Sequence, residues 1–511
     1  MNEICMKSIS DHWLDQEAGE TEKMETKTEE YSEKSPPDKM AAAIGDIGKW
    51  QILILIFASI PTKMSAVWQQ ISIIYLAPKT TFWCTDALNE KVMNSTCYKN
   101  CSNYEYYSEF ENTIISEWDL ICGRAWLANF NQMMCMFGVL VGSAAYGFIS
   151  DRCGRRPAII MAAMTQMVCG MIIPFSPDYW TFTVVRFIIG TSTAGLMVVS
   201  FVIILEIAGP GKRELMTGLY QIPISLGEMV MPVYSYYLRS WDQFTLGLGI
   251  TQLIFVTYIF VIPETPKWLI SVGKLEEASK VMKKAARINN LPTENMLQIA
   301  KEISDESKSR QEKSASKATY LDLIRIPSLR MRNLCSCLVW FILGLSFYGG
   351  NQYIGQTSSN TFLSIVLAGA LQIPGLIIAG ILYKRYGRRY TAIGFFIVCA
   401  ISNGLLVLPD DYFYIKLVVG ATAVSCAAGG YSVLYTFTSE LFPTVVRNMA
   451  VGASSTMSRV GSMLAPFVAG ASGAFWIAPT VFAIAPLIAA TAVWFLPETR
   501  GKKLTDHLNE C

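Results

Sequence analysis

Charge is what this 511-residue sequence has least of: Asp, Glu, Lys and Arg together make up 16%, against about 25% in a soluble domain. The balance is 42 Lys+Arg to 40 Asp+Glu, and no basic block stands apart, so nucleic acid is not an expected partner. Histidine is nearly missing. The two present, His12 and His507, lie in the tails, which excludes a histidine proton relay inside the chain. There is no metal-spaced His/Cys set, no nucleophile–base constellation and no phosphate-cradling glycine loop, so neither a catalytic residue nor a metal ligand is assigned, and no cofactor is expected. The first 44 residues hold eleven Asp/Glu against five Lys and no apolar core. They read as a disordered acidic tail rather than a signal peptide.

Apolar runs are what the chain has most of. The hydrophobic share is 52% and the mean hydropathy +0.34. Runs of about 20 apolar residues span a bilayer. Twelve occur, at 51–77, 126–149, 158–176, 181–203, 214–238, 243–262, 334–355, 361–383, 391–408, 412–437, 447–470 and 474–496. The fold class is therefore an all-α polytopic membrane protein with the bilayer as its surroundings. The stretch 264–333 carries fourteen Lys/Arg and nine Asp/Glu, whereas 78–125 carries four and seven. By the positive-inside rule the basic stretch is cytosolic and the acidic loop faces out, which puts both termini in the cytosol and suits the plasma membrane. The outward loop holds Cys84, Cys97, Cys101 and Cys122, read as two disulfides with three pairings open. It also holds the two N-x-[ST] glycosylation sequons, Asn94 and Asn100.

The chain repeats itself. Gly147, Asp151, Arg152, Gly154, Arg155 and Arg156 recur as Gly380, Lys384, Arg385, Gly387, Arg388 and Arg389. Glu206 and Arg213 recur as Glu440 and Arg447, and Pro263-Glu264-Thr265 recurs as Pro497-Glu498-Thr499. The common period of about 234 residues divides the chain into a half at 45–263, a linker at 264–333, a half at 334–500 and a tail at 501–511. Duplicated halves build transporters with a central substrate site. The glycines suit tight turns and close helix approach. The acids and arginines form a gating latch: Asp151 accepts from arginines across the loop, and Glu206 with Arg213, or Glu440 with Arg447, pairs at the same level, holding the halves shut on the cytosolic side when the site faces out and breaking when it opens inward. Lys384 replaces the acid, so the second copy latches more weakly or differently.

These residues resemble the major facilitator superfamily, whose signature is G-x-x-x-D-R-x-G-R-R. The cysteine-bearing loop, Glu117-Trp118-Asp119-Leu120, Pro263-Glu264-Thr265-Pro266-Lys267-Trp268 and Ser439-Glu440-Leu441-Phe442-Pro443 resemble the organic ion transporter family within it. The resemblance runs from about 45 to 505. It implies two pseudo-symmetric six-helix bundles and alternating-access transport of a small organic cation, anion or carnitine-like zwitterion, by a monomer or weak oligomer and not by an enzyme.

Three ionisable residues lie mid-span, where charge is costly and marks function: Lys63, Glu228 and Arg459. A guanidinium such as Arg459, on a stripe with Ser455 and Ser462, grips carboxylates. In the family this position is acidic in cation carriers and arginine in anion and carnitine-type carriers. The lysine that anion carriers place after the helix-eight proline is absent, since Gly375 and Leu376 follow Pro374. The pattern is closer to a carrier of amine-plus-carboxylate zwitterions; a plain organic cation carrier, with Arg459 structural, and a non-transporting membrane sensor are the alternatives. Glu228, sharing a face with Gln221 and Ser225, holds an ammonium or couples transport to Na⁺ or H⁺, or else forms a fixed ion pair with Lys63 or Arg459. Lys63 binds a second anionic group or neutralises Glu228. Tyr348, Tyr431 and Tyr435 offer faces to an ammonium, and Asn351 and Gln352 are candidate gate residues. The spacing within 274–287 predicts an amphipathic helix under the bundle or on the membrane surface.

Overall fold

A computed structural model describes residues 39–85, 95–98, 101, 103–313, 322–358, 360–408, 412–471 and 476–501. Each of the twelve apolar runs coincides with helix, because in hydrocarbon every backbone polar group needs a partner within the segment. The first half contains α2 (Lys49–Ile71), α5 (Trp126–Cys153), α6 (Arg155–Ile172), α7 (Tyr179–Ile207), α8 (Arg213–Tyr237) and α9 (Trp241–Thr251). The last continues through a 3₁₀ stretch, Gln252–Thr257, into α10 (Tyr258–Val261). The second half contains α15 (Pro327–Thr357), α16 (Thr361–Tyr386), α17 (Arg388–Leu405), α18 (Phe413–Leu441), α19 (Thr444–Ala469) and α20 (Ile477–Trp494).

Among the described residues, nine helices are long and apolar enough to cross a membrane by length and composition. The three long helices outside that set, α8, α17 and α19, carry charged or polar side chains such as Glu228, Asn403 and Arg459. Two of them, α8 and α19, hold two of the three mid-span charges; Lys63 lies on α2.

Each half has its own core. In the first half, Ala58, Ile159, Leu196 and Tyr220 share one cluster, and in the second Trp340, Phe396, Phe437 and Val493 share another. Small residues bring the helices close: a Cβ on Gly190 of α7 would sit 2.2 Å from the Cys135 carbonyl oxygen of α5.

The linker helices α11 (Pro266–Ser271), α12 (Leu275–Ile288) and α13 (Met296–Lys313) lie beneath the first half. The amphipathic reading holds for α12. Ala278, Met282, Ala285 and Ala286 join the core of that half, while Lys280, Lys283 and Lys284 stay exposed. The disordered tail expected over residues 1–44 does not hold for its last six residues. Lys39–Ile44 is a short helix, α1, that buries Met40, Ala43 and Ile44 against the linker, and Lys39 pairs with Glu302 and Glu306 at 3.1 and 2.6 Å. Residues 1–38 lie outside the described residues.

At the opposite end, β1 (Thr81–Cys84) pairs antiparallel with β2 (Tyr104–Tyr107), Thr81 facing Tyr107. Disulfides join Cys84 to Cys101 and Cys97 to Cys122, which settles the pairing the sequence left open. Trp118, after the short helix α4 (Ile114–Glu117), docks the loop on the bundle by its ring contacts with Tyr179, Phe182 and Trp241. Burial, together with a 2.7 Å hydrogen bond to Asp119, pushes the Tyr106 phenol above its usual range. The sequons Asn94 and Asn100 lie outside the described residues.

Candidate substrate site and its gates

The halves meet from mid-height towards the disulfide loop. α8 packs on α16, and α5 packs on α19. The short helix α3 (Ile73–Leu76) continues α2 after a break at Ser72, and its Tyr75 stacks on Phe362 of the second half at 6.1 Å. Phe110 and Tyr236 close on the same Phe362 ring. Gln356 donates to the Ala77 carbonyl at 3.1 Å, and Gln352 to Asn129 at 3.5 Å. Of the two candidate gate residues, Gln352 therefore bridges the halves. Asn351 donates to its own helix, to the Phe347 carbonyl.

Below this seal lies Arg459 of α19. Its Nη1 donates to the Tyr348 hydroxyl at 3.2 Å, and that hydroxyl donates to Gln70 Oε1 at 2.5 Å. One chain of bonds thus runs from α19 through α15 to α2, across the two halves. Tyr431 bonds Ser458 at 2.6 Å, and Trp340 stands edge-on to Tyr435 at 4.6 Å. Tyr348, Tyr431 and Tyr435 all lie within electrostatic reach of Arg459, and Tyr435 is 39% exposed. The polar stripe predicted on α19 is only half right. Ser462 turns back onto the Arg459 carbonyl, and Ser458 rather than Ser455 ties the helix to Tyr431.

Lys63 of α2 is 4% exposed. Its ammonium donates to Gln221 at 3.2 Å and lies 4.1 Å from the Tyr220 ring centroid, a cation–π contact. It faces Arg459 closely enough for their charges to interact. Among the described residues, no carboxylate pairs with either cation. The fixed ion pair considered for Glu228 is therefore not formed. Glu228 is fully buried and accepts from Gln372 Nε2 of α16 at 2.6 Å. Lys63 does not neutralise it.

The repeated motifs form one cluster per half at the linker end. Gly154 takes φ +107°, a conformation that favours glycine, and turns the chain from α5 into α6. Glu264 accepts from the backbone N–H groups of Arg155 and Arg156 at 2.9 and 3.1 Å, satisfying orphan donors at the start of α6. Arg155 reaches Glu206 at 2.8 Å and Asp151 at 2.9 Å, and Thr265 donates its hydroxyl to Glu206. Arg156 donates to the Ile259 carbonyl, while Arg152 lies over the Phe148 ring. The second half repeats the scheme. Gly387 has φ +94°, Glu498 accepts from the N–H groups of Arg388 and Arg389 at 3.0 Å each, and Arg388 reaches Glu440 at 2.8 Å. Arg385 lies over the Tyr386 ring.

This corrects three expectations. Glu206 pairs with Arg155 and not with Arg213, which is exposed. Glu440 pairs with Arg388 and not with Arg447, whose Nε and Nη2 are buried without partners among the described residues. In each half the motif arginine, arriving from another helix, takes the carboxylate. The hydrogen bonds of these clusters stay inside one half, so they do not join the halves here. Finally, Gly147 and Gly380 serve no close helix approach, since a Cβ on either would meet nothing within 4 Å.

The sequence placed Gln70 on the face of Lys63 and Arg186 in the repeat but assigned no role to either, and it did not point to Gln372. Arg186 is 1% exposed and anchors the α2 break by donating to Ser72 Oγ at 2.6 Å and Gln132 Oε1 at 2.8 Å. Glutamines within apolar helices are a signal of polar contacts between helices.

Comparison with known proteins matches this architecture. A family described as "Sugar (and other) transporter" matches residues 87–508. The organic cation transporter protein of Drosophila melanogaster is 32% identical over 421 residues, 81% of this chain and 76% of its own length. The chain belongs to the organic ion transporter family of the major facilitator superfamily. Solute carrier family 22 member 16 of Xenopus laevis is likewise 32% identical, over 82% of this chain and 74% of its own. Organic cation/carnitine transporter 4 of Arabidopsis thaliana is 28% identical over 91% and 88%. The inward-open xylose transporter XylE from E. coli superposes with a TM-score of 0.61 at 17% identity, over 89% of this chain and 96% of its own, which shows the major facilitator fold. The carrier is a multi-pass membrane transporter of organic ions and not an enzyme.

Proposed function

We propose that this carrier moves small carboxylate-bearing organic ions, above all carnitine-like zwitterions with an amine and a carboxylate, by alternating access across the plasma membrane. In this reading the linker and both termini are cytosolic. The observation that carries it is the pair of cations, the half-buried Arg459 and the buried Lys63, with no carboxylate among the described residues paired to either. Uncompensated charge in a low-dielectric cleft favours a ligand of opposite sign. Arg459 grips the carboxylate, Lys63 and Gln221 line the opposite wall, and the faces of Tyr348, Tyr431 and Tyr435 hold the ammonium. The linker-end clusters of each half act as gates, turning as rigid units while the halves rock.

A second reading, transport of plain organic cations, is favoured by the tyrosines and by the names of several relatives. Uptake in cells decides between them. Labelled carnitine, tetraethylammonium and glutarate are compared in wild type, Arg459→Lys and Arg459→Ala. The zwitterion reading expects carnitine uptake that falls roughly thirtyfold in Arg459→Ala, the loss of charge-assisted hydrogen bonds. Uptake of tetraethylammonium alone, unchanged in a folded Arg459→Ala protein, overturns it.

A further inference from the structure

Glu228 stands apart from the cluster around Arg459, and its surroundings point to a different task. The side chain is fully buried where the halves meet, at the contact of α8 with α16. One carboxylate oxygen, Oε2, accepts from Gln372 across the interface at 2.6 Å. Gln372 Oε1 in turn accepts from Ser225 Oγ at 3.5 Å. The other oxygen, Glu228 Oε1, is buried and has no partner among the described residues. Nearby Tyr75, which sits within electrostatic reach of Glu228, also has a buried hydroxyl without a partner.

Among the described residues no cation compensates this acid. From α2, Lys63 is turned to Gln221 and the Tyr220 ring. From α7, Arg186 is bonded to Ser72 and Gln132, while Glu206 is held by Arg155. From α9, Asp242 accepts from Ser240. From α16, the group that meets Glu228 is the neutral Gln372 amide. A lone carboxylate in so dry a place is too costly to keep ionised, so it must bind a cation or a proton. A metal ion wants a shell of several oxygens, whereas a proton needs only the bare Oε1.

We propose that Glu228 is a proton-binding site whose occupancy gates closure of the seal on the loop side. A proton bonded to Oε1 lets the halves close over Glu228 with the Gln372 bridge in place. When the halves part, water reaches the carboxyl, and the proton leaves to it. The ionised form then keeps the seal open until a proton from the loop side returns, so alkalinity on that side slows closure; the proton binds and leaves on one side, and none crosses the membrane. This rests on the alternating-access reading but not on the substrate class.

The test uses the full chain in proteoliposomes. N,N′-dicyclohexylcarbodiimide reacts with protonated carboxyls in apolar surroundings, and peptide mass spectrometry locates the adduct. The expected result is an adduct on Glu228 that declines as pH rises and is equal in NaCl and choline chloride. In parallel, exchange is measured with equal pH on both sides, from acid to alkaline, using whichever of carnitine, tetraethylammonium and glutarate the wild type moves. Wild-type exchange should fall roughly tenfold from the acid to the alkaline end, within the usual span of coupling between sites, and Glu228→Gln, which copies the protonated form, should hold its acid-end rate within about twofold throughout. An adduct blocked by NaCl but not by choline chloride overturns the proposal in favour of sodium. Loss of exchange at every pH in a folded Glu228→Gln protein overturns it in favour of a substrate-contacting role. A wild-type pH dependence in Glu228→Gln, or no adduct at any pH, also overturns it. If none of the three probes is moved, the substrate reading fails and the adduct result decides this one alone.

Discussion

The two halves build the same linker-end cluster from the same three motifs, yet they satisfy its central arginine differently. In the first half the Arg155 guanidinium is bonded on every side: Glu206 takes Nε and Nη2, and Asp151 and the Ser150 carbonyl take Nη1. In the second half Arg388 has Glu440 at 2.8 Å, lies over the Tyr383 ring at 5.4 Å, and leaves Nε buried without a partner. The helix caps are nearly identical, Glu264 on one side and Glu498 on the other. Two positions differ: Asp151 takes Nη1 where the second copy has Lys384, and Glu206 takes Nε where Glu440 takes only Nη2. Duplication therefore preserved the part that terminates a helix and let the pairing around it diverge. The first copy is built to be rigid. The second keeps unsatisfied donors on Arg388, Arg389 and Arg447, groups that a different arrangement of the halves could satisfy.

The largest expected effect tests the shared turn. Both glycines adopt a backbone that an L side chain takes only with strain, costing about 1–3 kcal/mol. A Cβ on Gly154 would also meet Glu264 at 2.3 Å and the Trp268 ring at 3.1 Å, whereas on Gly387 the nearest contact is Glu498 at 2.8 Å. Gly154→Ala should thus lower the melting temperature of the purified carrier more than Gly387→Ala, and both should reduce uptake. An equal loss would mean that backbone strain alone matters. The reverse order would break the claim that the first copy is the tighter one.

The next effect tests the arginines. Glu440→Gln removes the carboxylate that Arg388 uses, at a cost of about 2 kcal/mol for a charge-assisted bond. Glu206→Gln leaves Arg155 its bonds to Asp151 and Ser150, so about half that loss is expected. Thermal unfolding of the two variants side by side measures the ratio. A larger loss in Glu206→Gln would show that Asp151, whose side chain is 76% exposed, gives Arg155 no real support.

Much of this was legible beforehand, for physical reasons. Long apolar runs have few alternatives to helix in a bilayer, so the twelve spans were readable. The period of about 234 residues tied Pro263-Glu264-Thr265 to the arginine motif before any geometry showed Glu264 capping α6. What was not readable was partner choice. Glu206 lies seven residues from Arg213 along the chain, but α7 ends between them and Arg155 arrives from another helix. Glu228 and Lys63 look like a natural pair on paper, and the fold turns one to Gln372 and the other to Gln221. Opposite charges in a sequence give no direction. Glutamines at helix contacts decide more here than their neutral side chains suggest.

The smallest effect bears on what Asp151 is for. In this arrangement it supports Arg155 through an exposed pair spaced i, i+4, worth about 0.5 kcal/mol or less and weakened by salt. Asp151→Asn should then lower the melting temperature slightly at low salt and leave it unchanged at high salt. Lys384→Asp sets an acid four residues before Arg388, the spacing of the first copy, and should shift stability slightly the other way with the same salt dependence. If both hold, the sequence difference between the halves is a difference in static pairing. Uptake supplies the contrary case. Should Asp151→Asn abolish transport while barely moving the melting temperature, its pair with Arg155 cannot be its purpose. Asp151 would then meet its decisive partner in the opposite arrangement, when the linker ends of the two halves close, and the unsatisfied arginines of the second half are the donors it would find there.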